Sequence, residues 1–225
     1  MRSQSRWTGI VVGVVMGVFF SAVVVLGESS IYLPIVLKAV GSSSAGVPRT
    51  GQTTSYGPGD DGALQKGVAW PNPRFTVNAN GTVTDNLTGL IWLRDANCTN
   101  FFSGDITGVN QRTWDNALIA ANSLGSGNCG LSDGSTAGQW RLPNIKELYS
   151  LIDHAFYNPV LSNAVGTEKW SAGDPFNVQL NWGYWSSTTC ADNTTSAWGV
   201  PLYDGNVSDV EKTATIFVWP VRGGQ

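Results

Sequence analysis

The sequence has few of the residues that usually carry catalysis or bind metal ions. Of its 225 residues, one is histidine, three are cysteine and only 13% are charged. Zinc needs several Cys or His ligands, which one histidine and bridged cysteines do not supply. His154 follows Asp153 on a predicted helix, where adjacent side chains point in different directions and do not converge as a catalytic triad requires. We therefore expect no catalytic and no metal-binding residues, and we interpret His154 as a cation at the helix C-terminus.

Positive charge is also scarce and is not clustered. The chain has 13 Lys and Arg against 16 Asp and Glu, a net charge of −3. Removal of the first 27 residues, which contain two arginines and no acid, would change the net charge to −5. Nucleic-acid binding depends on clustered Lys and Arg that neutralise phosphates, so the sequence excludes nucleic acid as a partner.

The longest apolar stretch, residues 7–27, has no charge and follows Arg2 and Arg6. It is long enough to cross roughly 30 Å of hydrocarbon as a helix. It also ends in Val25-Leu-Gly27, whose small residues suit a signal peptidase, so an uncleaved membrane anchor and a cleaved signal peptide both stay open. With a positive N-terminal flank, both alternatives place the rest of the chain outside the cytoplasm, secreted or membrane-anchored at the cell surface.

Composition divides the chain into three parts. After a second apolar run, broken by Pro34, the sequence becomes rich in Gly, Ser and Thr up to about Gly59. That composition is typical of a flexible tether. The predicted parts are a signal peptide or signal anchor, a tether and a globular domain, at residues 1–27, 28–58 and 59–225.

The three cysteines belong to a chain destined for an oxidising compartment, where disulfides persist. Cys98 and Cys129 flank the first predicted helix, and we expect them to form a disulfide. Such a bridge closes a loop of about 30 residues and stabilises the fold by on the order of 3 kcal/mol in the chain-entropy model. Cys190 is then left as a free thiol or as an intermolecular link.

Hydrophobic periodicity predicts two helices in the globular domain. Thr113 caps a stripe that runs from Trp114 to Leu124, and a second stripe follows Asn144 to about Asp153. Asn80-Gly81 predicts a hairpin turn. The β-prone runs predict strands at residues 75–77, 82–84, 90–93, 140–142, 183–189, 197–202, 207–210 and 213–222. Few helices and many short strands indicate an α+β domain.

Three motifs carry a family resemblance: Gln139-Trp-Arg-Leu-Pro-Asn-Ile-Lys-Glu-Leu148, Tyr184-Trp-Ser-Ser-Thr188 and Val221-Arg-Gly-Gly224. Asn144 and Glu147 of the first motif have the spacing of a capping box at a helix start. Together with the segment from Phe75 to Trp92, the three motifs resemble the family named for the C-terminal domain of the Legionella collagen-like adhesin. The resemblance covers about two thirds of the chain. It implies a C-type-lectin-like fold, with two helices packed on an irregular antiparallel sheet, related to the formylglycine-generating enzyme.

The resemblance does not carry over catalysis. The formylglycine-generating enzyme works through a pair of cysteines, and the matching region here contains only Cys190. Landmark residues of this fold mostly hold the scaffold, so we interpret Arg141, Glu147 and Arg222 as structural. An enzyme of that kind, or an oxidase using Cys190, stays the alternative function.

Ligand binding is the function that the resemblance favours, on the loops and exposed strands before the last strand. Aromatic faces stack on sugar rings, while amides and carboxylates suit hydroxyl groups. The same oxygen-rich loops could hold Ca²⁺, although no cofactor is required. The candidate ligand-binding residues are Trp182, Tyr184, Asp192, Asn193, Trp198, Tyr203, Asp204 and Asn206.

The sequence thus predicts an exported, non-enzymatic bacterial lectin-like module. Its partner would be an extracellular glycan or protein, in adhesion, and the domain could act as a homo-oligomer. The adhesin that names the family binds sulfated polysaccharides as a trimer, but the acidic balance of this chain argues against the same specificity. A third alternative is a ligand-binding scaffold with diversified late strands, because Asn and Thr are frequent between Asn177 and Asn206.

Overall fold

The structure is a computed structural model that describes residues 12–14, 20–26, 29–35, 46–99, 110–181 and 183–223, the first three ranges as backbone only. The chain divides into two compact units, Met1–Gly46 and Val47–Gln225.

The first unit contains an antiparallel sheet in the order β1-β2-β3, with strands β1 (Val12–Val14), β2 (Phe20–Leu26) and β3 (Ser29–Ile35). These strands differ from the helix that the sequence predicts over residues 7–27, and the β-branched valines of β2 suit an extended backbone. In the part of the chain that the structure describes, no helix is long and apolar enough to cross a membrane. The role of residues 1–27 in targeting stays a prediction.

The second unit has short helices and short strands, and the predicted α+β class is confirmed. Its helices are α1 (Asp61–Leu64), α2 (Trp114–Ser123) and α3 (Ile145–Tyr149). Its strands are β4 (Phe75–Val77), β5 (Thr82–Asp85), β6 (Ile91–Leu93), β7 (Gln111–Arg112), β8 (Gly183–Thr189), β9 (Ser196–Pro201), β10 (Ser208–Glu211), β11 (Ile216–Phe217) and β12 (Val221–Arg222).

The strands form two sheets, ordered β10-β9-β8-β11-β7 and β12-β6-β5-β4. The hairpin predicted at Asn80-Gly81 is confirmed, because β4 and β5 pair antiparallel on either side of it. Gly81 has a φ of 83°, and a Cβ there would lie 2.4 Å from the Gly130 carbonyl oxygen. Only glycine therefore fits this turn. The first and last strands of the unit, β4 and β12, belong to one sheet.

The prediction of one long strand over residues 213–222 is wrong in one respect, since this segment is divided between the two sheets. β11 pairs with β7 and β8, whereas β12 pairs with β6. Pro220 lies between them and has no N–H for a ladder, although its carbonyl oxygen accepts a hydrogen bond from the Leu93 N–H at 3.1 Å. The chain thus crosses from one sheet to the other at Pro220.

Helix α2 agrees with the predicted stripe, but α3 is shorter than predicted. The capping box at Asn144 and Glu147 is confirmed. The helix ends at Tyr149 and passes into a turn, in which the Leu151 and Ile152 N–H groups bond the Leu148 and Tyr149 carbonyl oxygens. At Asp153 and His154, the backbone N–H groups pair with distant segments. The Asp153 N–H donates to the Val160 carbonyl oxygen at 2.7 Å, and the His154 N–H donates to that of Thr50 at 2.9 Å.

The segment before β4 packs as part of the second unit, including residues 47–58 that the sequence predicts as tether. The Arg49 N–H donates to the Val68 carbonyl oxygen at 3.0 Å, and the Val68 N–H to that of Val47 at 2.9 Å. The Trp70 indole N–H donates to the Arg49 carbonyl oxygen at 2.7 Å. These are long-range backbone contacts, which composition does not reveal.

The predicted disulfide is confirmed. Cys98 and Cys129 are bridged, with Cα atoms 5.4 Å apart and a sequence separation of 31. Cys190 is a free, buried thiol. The bridge therefore joins the segment after β6 to the loop after α2.

Removal of this bridge should destabilise the second unit measurably. We expect Cys98→Ser/Cys129→Ser to lower the free energy of unfolding by about 3–4 kcal/mol, because the open chain gains loop entropy. Urea denaturation followed by tryptophan fluorescence would measure the change. Cys190→Ser, which keeps the bridge, is the control and should cost under about 1 kcal/mol. Equal losses in the two variants would contradict the role given to the bridge.

Candidate functional site

The predicted ligand-binding residues do not converge on one site. Asp192 and Asn193 lie in the turn between β8 and β9, whereas Tyr203, Asp204 and Asn206 lie in the turn between β9 and β10. β9 separates the two turns and is six residues long, roughly 17 Å at 3.3 Å per residue. Consecutive turns of an antiparallel sheet lie at opposite ends of the strand that joins them, so these residues form two groups.

Three further candidates belong to neither turn. Tyr184 on β8 is fully buried; its hydroxyl oxygen accepts a hydrogen bond from the Gln179 N–H at 2.8 Å. Burial raises the pKa of Tyr184, and its ring packs against Phe217 and Trp219. The structure thus removes Tyr184 from the ligand-binding set.

The other two candidates are tryptophans. Trp198 is half-buried in the middle of β9, opposite Asp209. Trp182 lies outside the described residues.

The turn between β9 and β10 contributes to a surface that we call the Tyr157 patch, made of Tyr157, Tyr203, Asp204 and Asn206. The Tyr157 hydroxyl donates to the Tyr203 hydroxyl at 2.8 Å, and the two rings meet edge to face at 5.1 Å. Tyr157 is 62% exposed and Tyr203 37%. The Asn206 amide donates to the Asp204 carboxylate at 2.6 Å. Exposed aromatic rings thus lie beside a carboxylate and an amide.

The hydrogen bond between the two tyrosines has an electrostatic consequence. It is the main cause that raises the pKa of Tyr157, and the nearby negative charge of Asp204 acts in the same direction. The Tyr157 hydroxyl therefore keeps its proton at neutral pH and can still accept a hydrogen bond from a ligand.

The other turn offers a different chemistry. The Cys190 thiol donates to the Asp192 carboxylate at 2.9 Å, and this hydrogen bond raises the pKa of the thiol. The same bond lowers the pKa of Asp192. A thiol held protonated is a poor nucleophile, because the thiolate is the reactive form. Asn193 uses its side chain within the turn, where its amide oxygen accepts from the Thr195 hydroxyl at 2.6 Å.

The landmark residues of the motifs have structural partners, as the sequence predicts. Arg141 makes a two-pronged ion pair with Glu147, with both N···O distances at 2.7 Å. Arg222 pairs with Asp133 at 3.0 Å, and its guanidinium lies 5.2 Å from the centre of the Trp140 ring. These arginines hold neighbouring segments together.

A second surface feature, which the sequence did not predict, is a groove of about 680 Å³. We call it the Trp70 groove. It is lined by Val47, Pro48, Arg49, Thr50, Trp70, Leu87, Ile145, Lys146, Tyr149, Ser150, Ile152, His154 and Val207. Residues 47–50 were predicted as tether, so this wall carried no signal that periodicity or turn chemistry could detect.

His154 belongs to this groove and not to a helix terminus. Since α3 ends at Tyr149, the interpretation of His154 as a helix-dipole cation is wrong. Its Nε2 lies 3.2 Å from the Tyr149 hydroxyl, and the two rings are 6.0 Å apart. The pairing of Tyr149 with His154 presents two adjacent rings to the groove.

Metal-binding side chains do not cluster in the part of the chain that the structure describes. Within it, no three Cys, His, Asp or Glu side chains could together hold a metal ion. The two oxygen-rich turns each provide one carboxylate and one amide, Asp192 with Asn193 and Asp204 with Asn206.

Comparison with known proteins identifies one family. A family model described as the Lcl C-terminal domain matches residues 81–222, more than half of the chain. The match begins at the Asn80-Gly81 hairpin and ends on β12, so it includes the whole sheet β10-β9-β8-β11-β7, the other sheet without β4, and helices α2 and α3. Among curated proteins, none matches this sequence.

Proposed function

The chain belongs to the Lcl C-terminal domain family, and from this membership we propose that it is a surface-associated, non-enzymatic module that binds an extracellular carbohydrate. The predicted resemblance to this family is thereby confirmed. The family suggests a surface-related protein. The carbohydrate, the location outside the cytoplasm and the absence of catalysis are our proposals.

The observation that carries this proposal is the Tyr157 patch. Sugar recognition combines aromatic faces, which cover the apolar face of a ring, with hydrogen-bonding groups that meet its hydroxyls. Tyr157 and Tyr203 supply exposed rings, and Asp204 and Asn206 supply a carboxylate and an amide on the same turn. Three of these four residues were candidates from the sequence alone.

The cysteines support a location outside the cytoplasm and a function without catalysis. The Cys98–Cys129 disulfide favours an oxidising compartment. It also consumes two of the three thiols, so Cys190 has no second cysteine with which to form a catalytic pair. The raised pKa of Cys190 argues further against a reactive thiol at neutral pH.

The proposal can be tested by glycan-array binding of the purified protein. We expect Tyr157→Ala and Asp204→Ala each to weaken binding at least about ten-fold, roughly 1.4 kcal/mol, because each removes a ring or an acceptor from the patch. Tyr56→Ala is the matched control, because Tyr56 is 80% exposed and lies outside the patch. Its binding should equal that of the unmodified protein.

Two outcomes would count against the proposal. Glycan binding that survives both Tyr157→Ala and Asp204→Ala would place the site elsewhere. If no glycan binds and an extracellular protein does, with the same dependence on Tyr157, the partner is a protein and carbohydrate recognition is refuted.

A further inference from the structure

The Trp70 groove shares no lining residue with the Tyr157 patch, and the carbohydrate proposal leaves it without a role. Its two walls have different origins. Residues 47–50 and Trp70 precede the family match, which begins at residue 81, whereas α3 and the segment up to His154 lie within it. The groove therefore combines residues of the matched family domain with residues that precede the match.

The size and lining of the groove suit a small organic ligand. Its volume of about 680 Å³ lies within the roughly 300–1,000 Å³ of typical ligand pockets. Such pockets are mostly apolar and aromatic, with a few polar groups that orient the ligand. Eight of the thirteen lining residues are of this apolar or aromatic kind: Val47, Pro48, Trp70, Leu87, Ile145, Tyr149, Ile152 and Val207.

The charge of the groove has one sign. The cations Arg49 and Lys146 line it, and no carboxylate does. Within the described residues, neither Arg49 nor Lys146 has an ion-pair partner. Arg49 Nη1 donates to the Gln65 side-chain oxygen at 3.3 Å, whereas Arg49 Nε is buried without a hydrogen-bond partner. Two neighbouring carboxylates are paired with other cations, Asp85 with Arg74 and Glu147 with Arg141. Asp61 accepts from the Thr50 hydroxyl, and Asp153 accepts from the Ala155 N–H and interacts with His154, so neither pairs with Arg49 or Lys146.

The walls are held in place without a ligand. The His154 N–H donates to the Thr50 carbonyl oxygen at 2.9 Å, which ties the two walls to each other. The Trp70 indole donates to the Arg49 carbonyl oxygen at 2.7 Å. Because the groove is already shaped, the protein loses little conformational entropy when a ligand binds there.

We propose that the Trp70 groove binds a small amphipathic organic acid, with an aromatic or aliphatic body and one carboxylate. The body would lie against Trp70, Tyr149 and Ile145, where it displaces water from apolar surface. The carboxylate would face Lys146 and Arg49, the cations that have no acidic partner. The chain has a net charge of −3, whereas the charged side chains that line this groove are positive. Charge complementarity therefore favours an anionic ligand there.

Three probes separate the parts of this proposal in isothermal titration calorimetry of the full chain. 4-Phenylbutyrate has both the apolar body and the carboxylate, 4-phenylbutan-1-ol has only the body, and acetate has only the carboxylate. We expect saturable binding of 4-phenylbutyrate, binding of the alcohol that is about ten-fold weaker, and no detectable binding of acetate. A ten-fold difference corresponds to about 1.4 kcal/mol.

Point variants assign the binding to the groove. Lys146→Gln should weaken 4-phenylbutyrate binding roughly two- to five-fold, as expected for one exposed charge pair, and leave the alcohol unchanged. Tyr149→Ala should weaken both. Lys66→Gln is the matched control, since Lys66 is exposed and does not line the groove. Tyr157→Ala should also have no effect, so failure of this proposal is distinguishable from failure of carbohydrate binding.

The proposal is overturned if 4-phenylbutyrate does not bind, or if it binds no better than the alcohol. Equal losses in Lys146→Gln and Lys66→Gln would likewise overturn it, because binding would then depend only on overall charge. An acidic peptide that binds the groove while all three probes fail would assign the groove to a protein segment and exclude the small acid.

Discussion

Replacement of Arg74 by methionine is expected to lower the free energy of unfolding by about 3–5 kcal/mol. Arg74 and Asp85 form a two-pronged ion pair, with Nε–Oδ1 and Nη2–Oδ2 both at 2.9 Å, and both side chains are completely buried. The methionine fills most of the arginine's space but leaves the Asp85 carboxylate without its counter-charge in the protein interior. Urea denaturation at neutral pH would measure the loss.

The double variant Arg74→Met/Asp85→Leu separates the charge effect from the packing effect. It removes both charges together and is expected to lose less stability than Arg74→Met alone, because no unpaired charge remains. Asp85 also accepts hydrogen bonds from the Leu87 N–H at 2.9 Å and the Thr88 hydroxyl at 2.7 Å. The double variant therefore still loses part of this turn. A single variant no less stable than the double one would refute the buried-charge explanation.

Truncation of Trp219 to alanine is expected to cost a similar amount, about 3–5 kcal/mol. Trp219 is fully buried, and its ring lies 4.8 Å from that of Phe176, 5.1 Å from that of Trp92 and 5.3 Å from that of Tyr184. Alanine would leave a cavity where the chain crosses between the two sheets. Thermal or urea unfolding would show it as an early transition.

Trp219→Phe is the matched control for this prediction. Phenylalanine keeps most of the ring contacts but loses the hydrogen bond from the indole N–H to the Leu93 carbonyl oxygen, which is 2.8 Å long. We expect it to cost about 1–3 kcal/mol, the range for an unsatisfied buried group. If Trp219→Ala costs less than Trp219→Phe, the aromatic cluster is not the centre of stability that its packing indicates.

Features that depend on neighbours in sequence were predictable. The hairpin at Asn80-Gly81, the stripe of α2 and the capping box at Asn144 each arise from residues within a few positions of one another. The Cys98–Cys129 disulfide was also predictable, because the predicted export and the three cysteines leave few alternatives. The C-type-lectin-like architecture, beyond the α+β class, stays a prediction.

Features that depend on distant backbone contacts were not predictable. Asp153 and His154 lie outside the predicted helix because their N–H groups pair with Val160 and Thr50. The last strand is divided because its two halves find partners in different sheets. Each of these contacts joins segments whose proximity local propensity does not encode.

The sequence alone determined the family, the α+β class, the disulfide and three of the four residues of the Tyr157 patch, because motifs, periodicity and composition are local properties. Only the tertiary structure decided that the candidate residues separate to opposite ends of β9, that Tyr184 is buried, and that residues 47–50 meet α3 to form the Trp70 groove. The physical reason is that a binding surface is made by segments far apart in the chain, and the hydrogen bonds and packing that join them exist only in the folded state.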